Sequence, residues 1–307
     1  MFNLCKADVY RMVHMKSFLV CIVVSVALMV TIAGFMNWIS SPEFTAVVNE
    51  SVTERQMEGM SAEEQAEMQA QASEGLTELE PLNEKVLPSL TDTWSNTFFD
   101  GGFLGVIGSI FVVIFLMRDF QGGFIKNYPL DRRGRFAYFW AKLIVVALIE
   151  ALFLLICAAV TAVAFWAFGF TYESQDSFGG ILGWLGLVWL VCTAYGFMMA
   201  CLTLLVKSEA LSAVVAVLVP SSILGSIVVT VLNYFGVSFP ILNQVPQWLM
   251  VSTYGNLRGG AAGLTNVVGE GVFAALPVWS HVVILAAIYM AVMAVLVLTV
   301  CRKQDIR

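Results

Sequence analysis

Long apolar runs alternate with shorter polar segments along the whole chain of 307 residues. Six of the runs are long enough, or nearly long enough, to cross a bilayer core, which takes about 20 apolar residues in a helix. They cover 18–39, 102–117, 139–168, 181–206, 210–235 and 280–301. With 59% apolar and only 12% charged residues, the composition is far from that of a soluble domain. The pattern predicts an all-α, polytopic membrane protein with six transmembrane helices.

The polar segments complete the predicted organisation. Lys207-Ser208-Glu209 is the only break between the fourth and fifth runs, which predicts a tight hairpin there. The other connections are longer and differ in charge and in proline content. We expect an amphipathic helix on the inner surface (1–17), an acidic, partly helical extracellular loop (40–101), a cytosolic segment (118–138), an extracellular segment with short re-entrant helices (236–279) and a cytosolic tail (302–307).

The distribution of charge predicts the orientation in the membrane. Of the 16 Lys and Arg residues, 13 lie at the N-terminus, in 118–142, at Lys207 or in the C-terminal tail, and the others are Arg55, Lys85 and Arg258. Of the 22 Asp and Glu residues, 16 lie in the opposite loops. Because basic residues accumulate on the cytoplasmic side, both termini are expected to be cytosolic, in the plasma membrane of a bacterium.

Two segments allow more than one interpretation. The 1–17 segment fits an interfacial helix, and a short basic anchor that only sets topology fits equally well. The acidic 40–101 loop, with a long helix expected near 50–80, would attract cationic solutes, although an ordinary solvated face explains the same composition. The residues on the apolar face expected for the first helix are Phe2, Cys5, Val9, Met12 and Val13.

Glu150 is the only acidic residue placed well inside an apolar run. A charge at that depth is costly, so such residues usually face a partner or a wet cavity. Glu150 is therefore a candidate for the translocation path, although a role in helix packing is an equal alternative. Lys142 lies about 12 Å away along the same helix and is expected to extend to the inner surface. Ser221 and Ser222 follow Pro220 in the fifth run and suit either a moving gate or static packing.

The basic 118–138 segment contains exposed apolar residues that a simple topogenic loop would not need. A glycine pair allows the chain to turn, and Pro129 prevents one continuous helix. A short helix between them could dock into a groove on a soluble partner. The candidate residues are Gly122, Gly123, Phe124, Ile125, Lys126 and Asn127.

The sequence resembles the permease subunits of the ABC-2 type transporter family. The resemblance rests on six runs after a short basic helix, and on the 123–127 stretch followed by Pro129, a basic pair and Lys142. The ending Arg302-Lys303-Gln304-Asp305-Ile306 is also similar to the tail of these permeases. Two features differ, because Phe124 stands where the family has threonine and the first outer loop is long.

The resemblance implies an ATP-driven exporter in which this chain is the transport subunit and not an enzyme. It implies two cytosolic ABC ATPase subunits, which bind ATP and Mg²⁺, and a second permease, identical or related. The 122–127 stretch would then be the contact with the ATPase. The chain has no phosphate-binding G-x-x-x-x-G-K-[ST] loop, so ATP would be hydrolysed on the partner. No nucleic acid, bound cofactor or metal is expected. The acidic loop favours cationic or amphiphilic, peptide- or drug-like cargo.

Two other classes are weighed against this interpretation. A secondary transporter usually carries more ionisable residues at the membrane midplane and internal repeats, and neither is evident here. An intramembrane hydrolase needs a nucleophile with a base, and Ser109 with His281 is the conceivable pair. Nothing in the sequence orients that pair.

Overall fold

The computed structural model describes residues 2–44, 47, 85–121, 132–237, 239–268 and 276–303, and this part of the chain is mostly helical. Two short 3₁₀ helices, Pro240–Trp248 and Ala262–Thr265, lie in the last long connection. The α-helices are α1 (Phe2–His14), α2 (Lys16–Ile39), α3 (Leu90–Trp94), α4 (Phe103–Gln121), α5 (Arg132–Ala167), α6 (Phe178–Val206), α7 (Glu209–Leu218), α8 (Ile223–Gly236), α9 (Ser252–Leu257) and α10 (Val278–Lys303).

Four helices are each long and apolar enough to cross a membrane: α2, α5, α6 and α10. Two further crossings are possible if each of two bent helix pairs makes one span. In the first pair, Leu90–Phe99 and Phe103–Asp119 meet at 51°, and in the second, α7 and α8 meet at 59°. The described chain therefore has the architecture of a multi-pass membrane protein with four to six apolar spans.

Helix α4 occupies the centre of the bundle. It packs against α2, α5, α6 and α7, and α6 in turn packs along α10. Large α4 side chains are completely buried, including Phe111 and Phe115. Phe18 of α2 and Phe153 of α5 close around Phe111, with ring centroids 5.4 and 5.8 Å from it. This aromatic contact joins α2, α4 and α5.

Helical structure begins before the strict limit of the second run. The sequence places 40–101 in a partly helical outer loop and allows Phe98 and Phe99 to extend the second run, and in the structure Leu90–Trp94 form α3 and Ser95–Phe99 continue it as a π-helix. Ser89 caps this helix by accepting a hydrogen bond from the Asp92 backbone N–H. Trp94, Phe98 and Phe99 are buried against Trp184. The spacing of these aromatic residues on one helical face is the sequence signal for this element.

Two other connections agree with the sequence in part. Helix α6 ends at Val206 and α7 begins at Glu209, which is the tight hairpin predicted from the sequence. The 236–279 segment contains α9 and the two 3₁₀ helices. Tyr254 in this segment is buried, with its side chain only 4% exposed. Most of the 40–101 loop, including the helix expected near 50–80, lies outside the described residues.

Candidate functional site

A buried ionic cluster joins α1, α4 and α5 at one end of the bundle. Its buried charged members are Asp8 on α1, Asp119 near the end of α4 and Lys142 on α5. The Lys142 ammonium lies 2.6 Å from a carboxylate oxygen of each aspartate. Arg11 binds Asp119 from the rim, and Tyr138 donates a 2.7 Å hydrogen bond to the same carboxylate. Three helices are therefore fixed at one point by charge-assisted hydrogen bonds.

The cluster balances its own charge, which is what makes its burial tolerable. Two carboxylates face two cations, and Lys142 is 3% exposed whereas Asp119 is fully buried. The Lys142 ammonium also lies over the Phe115 ring, 4.7 Å from its centroid. Burial raises the pKa of Asp8, and the adjacent Lys142 ammonium opposes that rise. Removing one partner would leave a buried charge without compensation.

This cluster contradicts two expectations from the sequence. The prediction that Lys142 extends to the membrane surface is wrong, because its side chain turns inward between the two aspartates. The expected apolar face of α1 is only partly correct: Met12 is buried, but Val13 is 53% exposed and Asp8 is only 4% exposed. Asp8 lies four residues before Met12 and therefore shares its face. The four-residue spacing from Asp8 to Met12 indicates that Asp8 lies on the buried face. The sequence alone does not show that Lys142, on a distant helix, supplies its counter-charge.

The second candidate site is a carboxyl pocket, defined here by Glu150 on α5, Gly108 on α4 and Gly196 on α6. Glu150 is fully buried, and neither carboxyl oxygen has a hydrogen-bond partner within the described chain. A Cβ atom added at Gly108 would lie 2.2 Å from one of these oxygens, and one added at Gly196 would lie 3.0 Å from the other. The carboxyl group therefore fills space that only glycine leaves open on both neighbouring helices.

The glycine face of α4 connects this pocket to the break in the second bent pair. A Cβ at Gly105 would lie 3.1 Å from the Tyr254 hydroxyl and 3.0 Å from Pro220. The Tyr254 hydroxyl donates a 2.8 Å hydrogen bond to the Pro220 carbonyl at that break. Gly105 and Gly108 are one helical turn apart, so Glu150 and the break lie on one face of α4.

The two candidate serines lie at this break between α7 and α8. Ser221 donates a hydrogen bond to the Leu218 carbonyl, which satisfies one backbone acceptor that the break leaves open. Ser222 adopts a left-handed conformation, with φ of 65°, and precedes the first turn of α8. The structure thus brings Pro220 and Glu150 to one face of α4, and it places Ser221 and Ser222 next to Pro220.

A double-mutant cycle tests the fit of the carboxyl pocket. We expect Gly108→Ala to destabilise the protein by about 1–3 kcal/mol, because the new methyl group overlaps the Glu150 carboxyl. In a Glu150→Ala background, Gly108→Ala should lower the free energy of unfolding by clearly less. The reason is that the three atoms nearest to the added Cβ all belong to Glu150. Gly186→Ala is the control, since nothing lies within 4 Å of its added Cβ. Unfolding in detergent measures each step, and equal costs in both backgrounds would contradict the geometry.

The Ser109–His281 pair expected for a hydrolase is not assembled. One ring nitrogen of His281 lies 3.1 Å from the Gln247 carbonyl oxygen, and the other lies 3.1 Å from the Asn256 amide nitrogen. Ser109 is buried without a hydrogen-bond partner in the described chain. Because both nitrogens of the histidine are engaged elsewhere, it does not serve as a base for Ser109 in this conformation.

The six residues proposed for ATPase coupling, 122–127, lie outside the described residues. The flanking residues 118–121 and 132–138, which the sequence placed in the same segment, belong to α4 and α5. Among the residues that the structure does describe, no group of three or more His, Cys, Asp or Glu side chains is placed to hold a metal ion. No family model matches the chain, and no curated protein is significantly similar to it.

Proposed function

We propose that this chain is the membrane-spanning permease subunit of an ATP-driven exporter, with six spans and both termini in the cytosol. The observation that carries the proposal is the ionic cluster. It joins the end of α4 to the start of α5, and these are the two helices that flank the 122–127 stretch. A force applied to the 122–127 stretch would therefore act on α4 and α5, which the ionic cluster holds together.

The cluster also includes α1, which gives the amphipathic helix a mechanical role. Lys142 of α5 is shared between Asp8 of α1 and Asp119 of α4, so α1 is held to both of the other helices. Buried ion pairs resist small displacements because separating them exposes uncompensated charge in a medium of low polarity. In this proposal, nucleotide-driven movement of the ATPase turns α1, α4 and α5 as one unit.

The proposed path for cargo lies where the bundle has polar groups at depth. Glu150 and the break at Pro220, Ser221 and Ser222 adjoin one face of α4. Helix α8 beyond the break has mostly exposed side chains and packs chiefly on the Pro240–Trp248 helix. In the proposal, the second permease covers α8, and the acidic outer loop favours cationic or amphiphilic cargo.

Co-purification tests this function directly. The tagged chain, extracted in mild detergent, should bring with it an ATPase that contains a phosphate-binding loop, in equal numbers of the two chains. The double variant Phe124→Asp, Ile125→Asp should lower the recovered ATPase at least about tenfold, because it puts two charges into the proposed apolar contact. Quantitative mass spectrometry of the purified complex gives the ratio.

The control for this experiment is Phe178→Asp, which changes a side chain that is 76% exposed at the start of α6. Recovery of the ATPase with that variant should match the unaltered chain. If no ATPase is recovered, and the chain alone moves solute along an ion gradient in proteoliposomes, the protein is a secondary transporter instead.

A further inference from the structure

Glu150 is in an environment that does not accommodate an ionised carboxylate. The side chain is fully buried, and neither oxygen accepts a hydrogen bond from any described residue. An ionised carboxylate needs donors or a counter-charge when it leaves water, and a neutral carboxylic acid needs much less. No cation of the described chain is placed to compensate Glu150, since Lys142 is held between Asp8 and Asp119.

The titratable neighbours of Glu150 are all neutral groups. Cys192 on α6 and Tyr254 on α9 are close enough to interact with it electrostatically. Cys157, on the same helix as Glu150, is close enough to interact with Cys192, and helix α4 faces the carboxyl group at Gly108. None of these groups supplies positive charge to the carboxyl group.

Two buried tyrosines, Tyr195 and Tyr254, lie beside this pocket and next to a surface cavity. The rings of Tyr195 and Tyr254 stack with 5.8 Å between their centroids, and the Tyr254 hydroxyl reaches the Pro220 carbonyl. Tyr195 also lines a surface cavity of about 150 Å³ together with Val219, Gly225 and Tyr289. The cavity lies beside the helix break, and Tyr195 is therefore common to the interior and to the cavity.

We propose that Glu150 is a proton-binding site within the bundle, and that its proton exchanges with the cavity beside the helix break through Tyr195 and Tyr254. Binding converts the carboxylate to a carboxylic acid with a proton taken from water, and release returns that proton to water in the cavity. This goes beyond ATP-driven export and does not depend on it, because the site lies within one chain.

Infrared difference spectroscopy of the full chain in lipid nanodiscs tests the site. At both about pH 6 and about pH 9, an ordinary exposed glutamate is ionised. We expect a carboxylic acid carbonyl band in the unaltered protein that shifts on ¹³C labelling of glutamate. The band should be lost in Glu150→Gln and kept in Glu209→Gln, the control at the exposed start of α7.

The ¹³C shift in the unaltered protein keeps the test decisive even if Glu150→Gln folds poorly. A glutamic acid band that is absent at both pH values would overturn the proposal, as would one that survives in a folded Glu150→Gln variant. A carboxylate band that responds to sodium or potassium instead would identify a cation site and would also overturn it.

Hydrogen–deuterium exchange of the same band tests the route. Transfer to D₂O should shift the Glu150 band at least about tenfold more slowly in Tyr254→Phe and in Tyr195→Phe than in the unaltered chain, because each variant removes a hydroxyl group from the proposed route. Tyr289→Phe is the matched control, since Tyr289 lines the same cavity and lies outside the proposed route. Unchanged exchange in both variants would overturn the tyrosine route.

Discussion

Replacing Lys142 with methionine is expected to destabilise the protein by about 3–5 kcal/mol, because the change removes the cation shared by two buried aspartates. Methionine is apolar and of similar length, so packing against Phe115 is largely kept and the loss reports the charge. The destabilisation should be accompanied by release of α1 from the bundle. Reversible unfolding in mixed micelles measures the free energy, and protease cleavage near residue 14 measures the release.

Two further variants separate charge from packing. Lys6→Met removes an exposed lysine from the same helix α1 and should change stability by less than about 0.5 kcal/mol. The triple variant Lys142→Met, Asp8→Asn, Asp119→Asn removes both buried carboxylates together with Lys142 and leaves only Arg11 at the rim. It should recover part of the loss, because no buried carboxylate is left without a counter-charge. A triple variant as unstable as Lys142→Met would show that the side-chain shape of Lys142, and not its charge, stabilises the contact.

The sequence predicts those parts of the fold that depend on local periodicity. Apolar runs of about 20 residues correspond to α2, α5, α6 and α10 because each covers a whole helix with few polar interruptions. The hairpin at Lys207-Ser208-Glu209 follows from a polar break within an otherwise continuous apolar stretch. Of Leu90–Phe99, the sequence indicated only Phe98 and Phe99 as an extension of the second run, because the remaining residues include Thr, Asp, Ser and Asn and their mean hydropathy is low.

The candidate sites depended on contacts that local patterns do not encode. Glu150 could be identified from the sequence without knowledge of its neighbours, because an acidic residue inside an apolar run is unusual whatever its side chain contacts. Its position between Gly108 and Gly196 requires knowing which helices are neighbours. The Asp8–Lys142 pair spans 134 residues, and each member had a reasonable local explanation as a surface group. Long-range ion pairs of this kind become visible only once the helices are packed.

Replacing Gly102 with alanine is expected to destabilise the protein by about 2–5 kcal/mol, from two causes that act at the same residue. Gly102 has a φ of 69°, a conformation that an L side chain adopts only with strain. Its added Cβ would also lie 2.1 Å from the Pro220 carbonyl oxygen, which is backbone and cannot rotate away. The start of α4 and the break between α7 and α8 would therefore be forced apart.

Two control glycines resolve these causes by unfolding measurements. Gly169 has a φ of 81° with nothing within 4 Å of an added Cβ, so Gly169→Ala should cost only the conformational strain, about 1–2 kcal/mol. Gly101 has neither a positive φ nor an atom within 4 Å of an added Cβ, so Gly101→Ala should change the free energy of unfolding by less than about 0.5 kcal/mol. The excess cost at Gly102 over Gly169 then measures how firmly α4 holds the break in place. Equal costs at the two glycines would mean that the break moves freely relative to α4, and such a break could not hold the Pro220 carbonyl against the Tyr254 hydroxyl.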